Sequence, residues 1–295
     1  MRPMSTAPHP PDADAVRRFL FTNADVRGEV ARVDAALAQA LASHAYAPGV
    51  RVLLGEFLAA AVLLATTLKF QGRLTLQARS DGQVPLIMAE CRSDLSVRAI
   101  ARGAQAATAE RFAELLQDGQ LALTVEPDRG QRYQGIALLQ NESLAASLDA
   151  YFAQSEQLHT RFWLASDGRR AAGFLLQQLP SQVTLDPRQR EAQWAHACTL
   201  AATIEAEELL SLSAEALLYR LYHQDPVRVF EPRPVAFRCS CSRARSRNAL
   251  RVLGEAEIRD LLREQGAVTM DCEFCNARYV FEAAELLDKA DDTLH

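Results

Sequence analysis

The sequence has no surplus of basic residues: 32 Lys and Arg stand against 37 Asp and Glu, a formal net charge of −5. That argues against a dedicated nucleic-acid binder, whose domain carries a basic patch or stripe. No apolar run reaches the roughly 20 residues that a bilayer-spanning helix needs. The longest, Phe57 to Leu68, is followed by Lys69 and reads as a buried helix, so no membrane is expected as a partner. Met1 to Ala13 is proline-rich and polar and lacks the apolar segment of a secretory leader, which predicts a disordered tail on a cytoplasmic protein. There is no Walker-type Gly-rich phosphate loop, no internal repeat, and no metal-ligand spacing among the scattered histidines His9, His44, His159, His196, His223 and His295.

What is present is an ordinary globular composition, 49% hydrophobic and 23% charged, enough for a sizeable core. Strand patterning appears within Arg17 to Arg32, a helix over Ala35 to His44 stopped by Pro48-Gly49, and a strongly apolar core helix over Leu53 to Phe70. Three hairpins follow, marked by alternation on either side of Asp81-Gly82, Asp128-Arg129-Gly130 and Asp167-Gly168. Helices are expected between them at about Ser93 to Arg102 and Ser143 to Gln157. The fold class is therefore α+β with a mainly antiparallel sheet.

Beyond Leu179-Pro180 the pattern turns helical. Asp186 with Pro187 reads as an N-cap followed by proline at the first helical position, opening a helix to about Leu210. A shorter helix is expected from Ser213 to Tyr222, and Pro226, Pro232 and Pro234 force an extended segment up to Phe237. This divides the chain into an N-terminal domain at 14–186, a helical linker at 187–237 and a small C-terminal unit at 238–290. The leucines of the linker, Leu200, Leu209, Leu210, Leu217, Leu218 and Leu221, need cover in any resting state.

The chemistry sits in the last unit. Cys239-Ser240-Cys241 and Cys272-Glu273-Phe274-Cys275 are a C-x-C and a C-x-x-C pair separated by 30 residues, a gap holding a helix at Glu255 to Glu264. Four thiolates from two short turns suit one Zn²⁺ per chain in a closed tetrahedral site. Arg238, Arg243, Arg245, Arg247 and Arg251 supply nearby positive charge that favours thiolate, or else form a solvated face. Such a site can be a permanent anchor of the fold or an oxidant-sensitive switch, and the spacing leaves both open; if oxidised, local pairing within each motif is the simplest product. Cys91 and Cys198 read as buried, inert thiols.

At these residues the chain resembles the heat shock protein 33 family of redox-regulated bacterial chaperones. The likeness includes Phe237-Arg238 and Cys272-Glu273-Phe274-Cys275-Asn276. It extends to Leu54-Gly55-Glu56, Leu68-Lys69-Phe70, Arg132-Tyr133-Gln134-Gly135-Ile136 and the run from Tyr151 to Thr160, which contains Ser155-Glu156-Gln157. One departure is Ala244, where an acid is expected. The resemblance implies a substrate-binding and dimerisation domain, a linker and a zinc redox domain with Cys239, Cys241, Cys272 and Cys275 as ligands. It implies disulfides Cys239–Cys241 and Cys272–Cys275 on oxidation, with zinc release. It further implies an active homodimer that holds unfolding or oxidatively damaged clients without ATP and without enzymatic turnover. The rival readings are a zinc-ribbon nucleic-acid binder, disfavoured by net acidity, and a thiol oxidoreductase using the C-x-x-C pair, disfavoured by the missing βαβ context.

Overall fold

The computed structural model of the chain describes residues 14–68, 70–139, 142–155 and 158–287, so the expected tail Met1 to Ala13, Lys69, and Glu156-Gln157 of the family-like run lie outside the described residues. The chain divides into two compact units, one ending at Arg238 and the other beginning at Cys239.

The first unit runs β1 (Ala15–Phe21), β2 (Val26–Arg32), α1 (Asp34–Leu41), α2 (Pro48–Thr67), β3 (Gly72–Arg79), β4 (Leu86–Arg92), β5 (Ser96–Arg102), α3 (Phe112–Leu115), β6 (Gln120–Pro127), β7 (Tyr133–Leu138), α4 (Leu144–Ser155), β8 (Thr160–Ser166) and β9 (Ala171–Gln178). It continues through α5 (Pro187–Ala201), α6 (Ala206–Ser211), α7 (Ala214–Tyr222), β10 (Val227–Val229), β11 (Arg233–Pro234) and β12 (Ala236–Phe237). The second contains α8 (Arg243–Arg251), α9 (Glu255–Gln265), β13 (Val268–Asp271), β14 (Arg278–Phe281) and α10 (Ala283–Leu287). This is an α+β fold, and its strand pairs are antiparallel except β12 against β5.

Two six-stranded sheets build the first unit. The first has the order β10-β1-β2-β9-β8, with β11 also on β1; the second has the order β12-β5-β4-β3-β6-β7. The core helix α2 contacts strands of both sheets. Glycines permit its close approach: a Cβ at Gly173 would lie 2.7 Å from Leu63 Cδ1, and one at Gly55 would lie 2.9 Å from the Ala171 Cβ. The helix is 20 residues long with mean hydropathy 1.8 over its most apolar stretch, so by length and composition it could cross a membrane, but 83% of that stretch is buried in this unit.

Alternation assigns the faces of the first sheet. Along β9, Ala171 and Leu175 join the central core, while Ala172, Phe174 and Leu176 point the opposite way into a second cluster. That second face is covered by α5–α7 through Ala197, Ala201, Leu209, Leu210, Leu217, Leu218, Leu221 and Tyr222. Both ends of the helical segment are secured. At its start, buried Asp25 accepts hydrogen bonds from the backbone amides of Gln182, Val183 and Thr184 and from Arg190 Nη1 at 2.7 Å. In its middle, buried Arg32 donates to the carbonyls of Leu209, Leu210 and Leu212 at the C-terminus of α6. At its end, β10 and β11 pair with β1, and β12 pairs with β5.

Several expectations are corrected. Residues 96–102 are a strand: Asp94 accepts from the Ser96 amide and hydroxyl, closing a turn rather than capping a helix, and pairing with β4 buries Val97, Ala99 and Ala101. Pro48 starts α2 at its first turn instead of ending α1, which stops at Leu41. The twelve-residue apolar run is thus the later part of a longer helix. The helix opened by Asp186 breaks after Ala201, and α6 begins afresh on a reciprocal capping box between Glu205 and Glu208. The arginine-rich stretch after Cys241 forms α8, capped by the Ser242 hydroxyl, which the sequence reading missed.

Asp25 generates a prediction. Burial alone would raise its pKa, but the three amides and Arg190 more than offset that and hold its carboxyl below the ordinary 3.8. A folded-state value below the unfolded one contributes stability that is complete above the unfolded pKa and drains as pH falls through the folded pKa. Asp25→Asn is therefore expected to cost about 2–4 kcal/mol at neutral pH, and less as the pH drops below 3.8. Chemical denaturation of both proteins at several pH values, with limited proteolysis around residues 180–190, checks it.

Candidate metal centre

The second unit buries only a small core, Leu250, Ile258, Val268, Phe281 and Leu286. A unit of this size is marginal on apolar burial alone and is the kind that a metal site often supports. Its two cysteine motifs meet beside this core. Cys239 and Cys241 flank Ser240 just before α8, and the carbonyl of Ser240 is held by Arg245 Nη1 at 2.7 Å. Cys272 and Cys275 lie in the turn of the β13–β14 hairpin, where the Asn276 amide donates to the Cys272 carbonyl and the Cys272 amide to the Ala277 carbonyl. Asn276 has φ +53°, a left-handed conformation that asparagine tolerates better than most residues.

This local structure brings all four predicted cysteines together. Their sulfurs lie within 4.8 Å of one another. The separations Cys239–Cys272 and Cys241–Cys275 are 3.5 and 3.4 Å, far beyond the ~2.05 Å of a disulfide. All four are free thiols. A tetrahedron of sulfurs around Zn²⁺ at ~2.3 Å has edges of about 3.8 Å, a spacing these positions can meet with small shifts.

The electrostatics fit a cation at the centre. Burial opposes ionisation of Cys239, but the Cys241 amide and the neighbouring thiols donate to it and bring its thiol down to about 7. Burial raises Cys272 and Cys275; Cys239 raises Cys272 further, and Cys241, Cys239 and Cys272 raise Cys275. One thiolate is thus favoured at the expense of others, because four negative sulfurs at this spacing repel. Holding all four ionised takes a divalent, thiophilic ion, and the donor set suits zinc.

The arginine run is put to structural use. Arg243 pairs with Glu285 at 2.6 Å, donates to the Val280 carbonyl and lies over the Phe281 ring, tying α8 to the end of the unit. A contact absent from the sequence reading is the Tyr279 hydroxyl, which donates to Cys241 Sγ at 3.2 Å. It follows from β14 pairing, not from motif spacing. The C-x-x-C motif occupies a two-stranded hairpin rather than a βαβ unit, unlike a thioredoxin-type site. Cys91 is fully buried in β4, and burial pushes its thiol up to about 12; Cys198 on α5 is half-buried and raised to about 11. Both thiols resist ionisation, as inert cysteines do.

An α+β unit of two sheets, followed by a small unit built on four convergent thiols that could hold a metal ion, marks the kind of protein this is. A family model described as "Hsp33 protein" matches residues 14–282. Proteins called "33 kDa chaperonin" are similar over nearly their whole length: 55% identical in Pseudomonas paraeruginosa, covering 93% of both chains, and 56% in Azotobacter vinelandii, covering 93% of this chain and 94% of that one. The crystal structure of a 33 kDa chaperonin from Thermotoga maritima superimposes with a TM-score of 0.77 over 93% of this chain and 97% of its own, at 22% identity. The chain belongs to the Hsp33 family.

The thiol cluster makes a direct prediction. Purified under reducing conditions, the protein is expected to carry about one zinc, and Cys275→Ser to carry none. Because metal binding supplies ~10–16 kcal/mol of apparent folding energy in small thiolate sites, the variant should lose the ordered amide signals of residues 239–287 and keep those of β1–β9. Metal analysis with two-dimensional NMR reads both; a variant with an intact second unit would show the cluster to be dispensable.

Proposed function

We propose that this chain is a cytoplasmic, redox-switched holdase chaperone, with residues 14–186 as substrate-binding and dimerisation domain, 187–237 as regulatory linker and 238–290 as zinc redox switch. The observation that carries the reading is the cluster of four free thiols in a family whose similar members are called 33 kDa chaperonins. Bound zinc would supply the charge that lets Cys239, Cys241, Cys272 and Cys275 stay together as thiolates.

The chemistry of the switch is a two-electron oxidation of each motif. The thiolates of Cys239 and Cys241 lose two electrons and form an S–S bond, while one hydrogen peroxide takes those electrons and two protons and leaves as two waters. Cys272 and Cys275 react likewise with a second peroxide. Disulfide formation would remove all four donors to a bound metal, and the second unit, whose buried core among the described residues is five side chains, would lose its main support. The linker then loosens and the leucine-bearing face of α6–α7 becomes available. An exposed apolar patch of this kind captures other unfolded chains. The active species is a homodimer that holds unfolding or oxidatively damaged clients. It needs no ATP and turns over no substrate.

Two experiments test this. Peroxide is added at mildly elevated temperature while zinc release, free thiols and aggregation of a thermally unfolding client are followed together. Zinc and all four thiols are expected to disappear as protection appears, with peptide mapping placing the bonds within each motif. Protection by the fully reduced, zinc-loaded protein equal to that of the oxidised form would sink the switch. The second removes the clamp on the linker: Arg32→Met should give a substantial part of the oxidised protein's protection while all four thiols remain reduced. Unchanged, oxidation-dependent protection in that variant would separate the linker from the activity.

A further inference from the structure

The donors around the four sulfurs are not alike. Cys239 accepts from the backbone amide of Cys241, Cys272 from the amides of Phe274 and Cys275, and Cys275 from the amide of Ala277. These are main-chain donors, set by the turns that create the site. Beyond the contacts among the four thiols, Cys241 accepts from a side chain outside the cluster, the hydroxyl of Tyr279 at 3.2 Å. Neighbouring contacts hold that hydroxyl in place. Tyr279 sits on β14 opposite Met270 of β13, its ring packs against the small core of the unit, and the adjacent Val280 carbonyl is held by Arg243.

A hydrogen bond to a metal-bound thiolate withdraws electron density from the sulfur and blocks one direction of approach. Both effects slow its attack on an electrophile, and outer-shell donors of this kind also orient the ligand. We propose that Tyr279 is a positioning residue that restrains Cys241 and so sets how much oxidant the site withstands before it opens. The inference rests on the reading of the four cysteines as zinc ligands. It adds a residue outside the ligand set whose single oxygen tunes the response.

The test uses the full-length, zinc-loaded protein and the nucleophilicity of each sulfur, not chaperone activity. Iodoacetamide is attacked by a thiolate, which forms the S–C bond and expels iodide, and mass spectrometry reads the fraction labelled at each cysteine. Tyr279→Phe keeps the ring and removes the hydroxyl. It is expected to raise labelling at Cys241 relative to Cys239 several-fold, to weaken zinc binding roughly tenfold in competition with a chromogenic chelator, and to lower the peroxide dose for half-release of zinc. Replacing Tyr279 by 3-fluorotyrosine, a stronger donor with the same shape, should move the labelling ratio the opposite way, which a purely packing role would not do. This second variant decides the matter if the phenylalanine protein is poorly folded. With one zinc per chain in the parent, a labelling ratio that the fluorotyrosine leaves unmoved overturns the inference alone. A parent that binds no zinc removes the metal reading and the inference together.

Discussion

The first sheet is apolar on both faces, and most of the architecture is a response to that. A strand such as β9, with Leu175 on one side and Phe174 on the other, cannot leave either side in water without a large loss of burial energy. One face is satisfied by α2. The other has to be covered by something, and the chain uses α5–α7, elements that come after the sheet in sequence. A cover added this way is removable in principle, because the two-sheet body has its own core around α2.

The second unit obeys a different constraint. Its helices and hairpin surround a core too small for ordinary stability, and its sequence spends its specificity on two turns that present sulfur. Arg245 on the Ser240 carbonyl and the left-handed Asn276 fix the turns, and Arg243 with Glu285 closes the periphery. Dependence on a central ion would be a weakness in a permanent scaffold, but under the proposed function it would let a chemical signal dismantle the unit.

Legibility from sequence followed the range of the forces involved. The three hairpins were readable because alternation and turn glycines are local, and the convergence of the four cysteines because each pair sits on one short turn. The strand at 96–102 was misread as helix because Ser-Asp at 93–94 suits either a cap or a turn, and only pairing with β4 decides between them. Pro48 was misread because proline both ends and begins helices, and the difference lies in what the following residues bury. The break after Ala201 was missed although its signal, the Glu205–Glu208 capping box, is local, because the helical pattern runs on through it; the role of Arg32 was invisible because it is a contact across the 178 residues separating Arg32 from Leu210. Tyr279 belongs with Arg32, since its reach to Cys241 depends on how a hairpin meets a distant turn.

The strands that follow the helices carry a topological consequence. Because β10 and β11 return to β1, and β12 to β5, the segment between Gln178 and Val227 is a bight, moored to the body at both ends. A free tail, once detached, would sweep a wide volume and screen the face it had left. A moored bight that lifted would not depart, so its own apolar side would stay beside the face it uncovered. The two would present a single split surface, and re-covering it would be a short-range event for one chain, needing no search through solution.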